Sequence, residues 1–129
     1  MEYLFLIGRI LYALVFLMSG INHLRNSGAM AGYAASKGVP APRLAILGTG
    51  VLMLLGGLSI ALGVQPTWGI ALVTVFLIPT TVMMHNFWVD TDPMARLNNL
   101  INFQKNVAMV GAAWTMLMIP QPWALSLGQ

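Results

Sequence analysis

The chain contains no cysteine, which excludes disulfides, thiolate metal sites and a cysteine nucleophile within it. Charge is almost as scarce. Charged residues make up 7% of the sequence, where a soluble domain of this size carries about a quarter. No acidic residue falls inside any long apolar stretch, which argues against a carboxylate-based proton or cation relay. The phosphate loop, the dinucleotide glycine fingerprint and the H-E-x-x-H zinc pattern are all missing. No basic run or basic-aromatic stripe accompanies the net charge of +3, so nucleic acid is not an expected partner.

What remains is apolar. At 58% hydrophobic residues and a mean hydropathy of +0.80, the outside could not be wetted without exposing large apolar patches. The expected solvent is the lipid bilayer. Four windows approach the roughly 20 apolar residues needed to span it as a helix. They run from about Tyr3 to Leu24, Leu44 to Gly63, Thr67 to Trp88 and Phe103 to Ile119. None shows the strict alternation of barrel strands, and backbone groups in lipid must be satisfied within a helix or a closed barrel. The expected fold is therefore all-α: an integral membrane four-helix bundle forming one domain over residues 1–129. Glu2 stands where a signal peptide would be basic, and the first window is read as a retained helix.

The connections predict topology. About twenty residues, Arg25 to Arg43, separate the first two spans, whereas Val64-Gln65-Pro66 makes spans two and three a tight antiparallel hairpin. After span three, Asp92 before Pro93 is a good helix N-cap and predicts a short interfacial helix over Pro93 to Leu100. Arg25, Lys37, Arg43, Arg96 and Lys105 lie in or beside the two larger loops, and Arg9 alone lies toward the other side. By the positive-inside tendency both larger loops face the cytoplasm and both termini face out.

Polar residues in membrane helices usually face the bundle interior and mark function. In the first span Arg9, Tyr12, Phe16, Ser19 and His23 form one stripe at helical spacing. Arg9 either snorkels to the outer headgroups or turns inward to order Tyr12 and a neighbouring helix. In the third span Pro79 kinks the helix, and Thr80 or Thr81 is expected to re-satisfy the freed carbonyl. Glycines 48, 50, 56, 57 and 63 in span two, and Ala108, Gly111 and Ala112 in span four, are a close-packing signal serving either the bundle or self-association. Asn22, His23, His85, Asn86, Trp88, Asn102, Lys105 and Asn106 all fall at the cytoplasmic end, beneath the loop carrying Tyr33. Trp88 and Lys105 are ordinary interface residues taken singly. His23 and His85 have the chemistry to ligate a metal or haem iron, but two lone histidines at helix ends more often hydrogen-bond loops, so neither metal nor haem is expected.

Several segments carry a family resemblance. Gly8-Arg9-Ile10 through Ser19-Gly20-Ile21-Asn22-His23-Leu24 resembles the opening of the DoxX family of small bacterial membrane proteins. Tyr33 to Pro42, the Gly56-Gly57 pair, His85-Asn86-Phe87-Trp88 and Phe103-Gln104-Lys105-Asn106 follow in family order over nearly the whole chain. The resemblance implies a four-helix protein of the bacterial inner membrane. It further implies association with membrane oxidoreductases, since the family takes its name from a subunit of an archaeal thiosulfate:quinone oxidoreductase. Most members have no assigned activity. Many relatives place a glutamate just before the paired glycines, where this chain has Met53, so no proton-linked role of that glutamate transfers here.

These readings converge on an accessory membrane subunit rather than a catalyst by itself, and no catalytic residue is assigned. In the leading reading it contacts quinone through a ligand-binding end comprising Asn22, His23, His85, Asn86, Trp88, Lys105 and Asn106, with Arg9 as a further candidate. A membrane-protein partner or a homo-oligomer is expected. The alternatives are a binding or carrier protein for a small lipophilic molecule, with its pocket at the Pro79 kink, and a purely structural subunit of a larger complex.

Overall fold

Between Arg9 and Arg25 the first apolar stretch has neither proline nor a charged side chain, so nothing interrupts its helix. In the computed structural model, which describes residues 1–128, α1 spans Glu2–Arg25, about 36 Å of helix at the usual rise. A break at Asn26 (φ −112°, ψ 32°) starts a second helix, α2, over Ser27–Ser36. Gly38 at φ +79° and Ala41 at φ +44° turn the chain into α3, Pro42–Leu62, with proline at its first position. Gly63 at φ +69° ends α3: its N–H donates to the Ile60 carbonyl and that of Val64 to Ser59, a Schellman motif. Gln65 then leads directly into α4, Pro66–Met84, followed by a single 3-10 turn, Phe87–Val89. The last helix, α5, covers Pro93–Met116, its start capped by Asp92 Oδ2 accepting from the Ala95 N–H at 2.8 Å.

The all-α class and the tight hairpin stand. The arrangement of helices differs: the described residues form five α-helices, where four spans and a short interfacial helix were expected. The first connection, read as a loop, contains α2, because Ala29, Met30, Ala31, Tyr33 and Ala34 form a helix too short to span but able to pack Ala31 and Ala34 against Ile46. The short helix expected over Pro93 to Leu100 and the separate segment from Phe103 to Ile119 are one continuous helix ending at Met116. No proline or glycine interrupts it before Gly111, and the polar run Asn98 to Asn106 changes its surroundings without breaking it. Among the described residues three helical segments are long and apolar enough to cross a membrane: Glu2–Arg25, Pro42–Leu62 and Pro66–Val89.

Packing follows the small residues. The Gly20 and Gly50 backbones of α1 and α3 approach so closely that a Cβ at Gly20 would lie 3.0 Å from the Gly50 carbonyl oxygen. Gly56 plays the same part between α3 and α4, where a Cβ would meet Val73 Cγ1 at 2.8 Å and the Gly69 carbonyl at 3.1 Å. Gly50, Gly56 and Gly57 of α3 thus serve the internal bundle, whereas Gly48 and Gly111 face open space. The core between the helices holds Ala13, Phe16, Met53, Ile60, Leu77 and Ala113, with Trp123 from the C-terminal tail. Large apolar side chains such as Leu11, Leu55, Leu58, Val75 and Val107 face outward, as lipid contact requires.

Thr81 Oγ1 donates to the Leu77 carbonyl at 2.6 Å, not to the Val75 carbonyl freed by Pro79, so the expected threonine repair does not occur. Its own geometry explains this: a helical hydroxyl reaches back four residues, and from position 81 that is Leu77. Helix α5 runs antiparallel to α4. His85 pairs with Asn99, Thr74 with Trp114 and Thr67 with Gln121, so α5 and the segment after it together climb the full height of α4.

Candidate functional site

Arg9 turns inward. It is 1% exposed, and its Nε, Nη1 and Nη2 donate to the carbonyls of Ala61, Ala124 and Leu125 at 3.3, 2.9 and 2.7 Å. The Phe5 and Trp123 rings flank its guanidinium. Arg9 therefore ties the end of α3 and the C-terminal tail to α1. Tyr12, which the inward alternative had Arg9 ordering, instead donates its hydroxyl to the Met109 carbonyl at 2.8 Å. A cavity of about 780 Å³ at this end is lined by Arg9, Tyr12, Thr115 and Met116.

The opposite end holds a cavity of about 730 Å³ to which all five helices contribute. Helix α1 supplies Phe16, Ser19 and His23, α2 supplies Met30, Tyr33 and Ala34, and α3 supplies Ala45, Thr49 and Met53. Helix α4 contributes Phe76, Pro79, Thr80 and Met83, His85 follows at its C-terminal end, and α5 adds Asn106 and Met109. The volume suits a small organic molecule, and an apolar wall with a few polar groups is how such sites are built.

Each polar wall group is placed by local structure. His23, buried in the last turn of α1, has Nδ1 2.8 Å from the Ser19 carbonyl and meets the Phe76 ring edge-on. His85 ends α4, its Nδ1 3.4 Å from Asn99 Oδ1 on α5; Asn99 in turn donates to Asp90 Oδ2 at 2.8 Å. Thr49 spends its hydroxyl on its own helix, at the Ala45 and Ile46 carbonyls. Met53, where the resemblance expects a glutamate, is fully buried in this wall.

The structure divides the sequence-derived candidates. His23, His85 and Asn106 come together on one cavity, with Tyr33 above it. Asn86 lies beside it and accepts from Lys37 Nζ at 2.9 Å, clasping the end of α2 to the end of α4. Asn22 is exposed and bonds Asn26 and Met30. Trp88 is also exposed, in an aromatic cluster with Phe87 and Phe103, and Lys105 points outward. Arg9 sits at the other end. Sequence reasoning missed the Asp90–Asn99–His85 chain of hydrogen bonds, which depends on a turn that brings α5 back beside α4. It also missed the small residues Ala34, Ala45 and Thr49, whose only signal is that they leave space.

Residues 4–86 match the DoxX family, covering α1 to α4 and most of the cavity wall. The chain is 34% identical over 124 residues to the inner membrane protein YphA of Escherichia coli strain K12. That alignment spans 96% of this chain and 87% of that protein, and so includes α5. No solved structure matches. Family match, relative and apolar helices agree: the chain is an integral membrane protein of the DoxX family.

Proposed function

We propose that this protein binds a small lipophilic molecule in the cavity at the His23–His85 end and presents it to redox chemistry carried out by a membrane partner. The observation that carries the reading is the cavity itself: about 730 Å³, mostly apolar, with His23, His85 and Asn106 at one end. Quinones belong to the size and polarity class that fits. In this reading the titratable wall groups His23, His85 and Tyr33 bind the molecule, and the role is accessory.

In this reading α5 is a fourth crossing. Its 24 residues give about 36 Å, and its polar first half lies at the headgroup level beside His85. Both termini then lie on one side, outside, with the cavity opening toward the cytoplasmic face. The inner membrane is its location, as for the Escherichia coli relative.

The test is solvent extraction of protein purified in a mild detergent, with mass spectrometry of both extract and copurifying proteins. A lipophile recovered in stoichiometric amount supports binding. Protein partners with no lipophile in any preparation would instead leave a purely structural subunit.

A further inference from the structure

We infer that the molecule held in this cavity carries a hydroxyl group, as a phenol or quinol does, which donates its hydrogen to the Nε2 atom of His23 or of His85. The inference rests on the cavity being a binding site and names the chemistry of its occupant.

Both imidazoles are fixed in the same sense. A carbonyl oxygen only accepts, so His23 Nδ1, 2.8 Å from the Ser19 carbonyl, carries a hydrogen. In the neutral ring Nε2 is then a bare acceptor. His85 is set by a longer chain. A carboxylate also only accepts, so the Asn99 nitrogen is the end bound to Asp90 Oδ2. That leaves Asn99 Oδ1 facing His85 Nδ1, which must donate, and His85 Nε2 is likewise an acceptor. Among the described residues no protein group bonds either Nε2.

The remaining polar wall groups do not discriminate. The Asn106 amide and the Ser19, Thr80 and Tyr33 hydroxyls both donate and accept, so they serve any head group, and the Thr49 hydrogen is already spent on its own helix. The two imidazoles do discriminate. A molecule offering only carbonyl oxygens leaves both acceptors unpaired, whereas a hydroxyl satisfies one and can still accept from Asn106. Sites built around a polar partner reject ligands that leave it unpaired. Asn99 and Asp90 are positioning residues in this scheme: they hold the His85 tautomer without touching the ligand.

The experiment uses the full chain in detergent and three probes on one carbon skeleton: 2-methyl-1-naphthol, its methyl ether, and 2-methyl-1,4-naphthoquinone. Affinities are read by calorimetry. The naphthol should bind about tenfold tighter than either other probe, the effect of one well-made hydrogen bond. That preference should vanish in the double variant His23→Phe/His85→Phe. Should the double variant not fold, His85→Phe alone, at a half-buried position, should reduce the preference. Asn99→Leu releases the His85 ring, so the naphthol should weaken while the quinone tightens. A general loss of structure would weaken all three together and cannot produce that crossing. Equal binding of the three probes, or tighter binding of the quinone to the parent, overturns the hydroxyl inference and leaves the cavity as a site. Binding of none overturns both.

Discussion

A side chain placed at Gly56 tests the packing that holds the cavity walls together. An added Cβ would lie 2.8 Å from Val73 Cγ1, 3.1 Å from the Gly69 carbonyl oxygen and 3.3 Å from Leu72 Cβ. The valine methyl can turn away, but the carbonyl belongs to the α4 backbone, so α3 and α4 must separate. Gly56→Ala gains up to about 1 kcal/mol of helix propensity, and overpacking costs about 1–3 kcal/mol. The net is neutral to about 2 kcal/mol destabilising, and Gly56→Leu lies at or beyond the upper end. Gly111 is the control: on a helix with nothing within 4 Å of its added Cβ, Gly111→Ala should only gain. Thermal unfolding in detergent compares the two. For a chain of this size about 1 kcal/mol moves Tm by about 4 °C, so the alanine variants should melt about 4–12 °C apart, with Gly56→Ala lower. Equal melting of Gly56→Leu and Gly111→Leu would refute close contact of α3 with α4.

Four further outcomes are expected. Asp92→Ala removes the cap of α5 and should cost about 1 kcal/mol, read as a lower Tm in detergent. Arg9→Ala strips two donors from the tail carbonyls of Ala124 and Leu125 and one from Ala61 of α3, so limited proteolysis should clip the C-terminal tail faster than in the parent while α1 to α4 survive. Ser36→Cys should be shielded from an impermeant thiol reagent in intact cells and Leu127→Cys labelled; the reverse would overturn the proposed orientation. His85→Ala should lower Tm modestly, because its bond to Asn99 is long and partly exposed.

Much of the fold was legible because the signals were local. Apolar runs, a three-residue connection and an aspartate before a proline locate α1, α3, α4 and the start of α5. Helix α2 was not legible, since ten residues rich in alanine and glycine show no periodic face until Ile46 is beside them. The continuity of α5 was hidden by its polar run Asn98 to Asn106, which reads as a loop when hydropathy is the guide. In the site, placing His23, His85 and Asn106 at one membrane level was enough to bring them together. Level says nothing about direction around a helix, and this separates those three from Asn22, Trp88 and Lys105, which share the level and face outward. Arg9 lay between two readings that only three-dimensional contacts separate: its partners are carbonyls 52, 115 and 116 residues away.

The central claim is that the 730 Å³ cavity is an occupied binding site. Native mass spectrometry of the parent beside Ala45→Trp, which puts a large side chain on the cavity wall, tests it most directly. The account predicts a lipophilic adduct of constant mass on the parent and its loss from a folded Ala45→Trp protein. A parent that carries no adduct after exposure to membrane extract, or an adduct retained unchanged by folded Ala45→Trp, would contradict it.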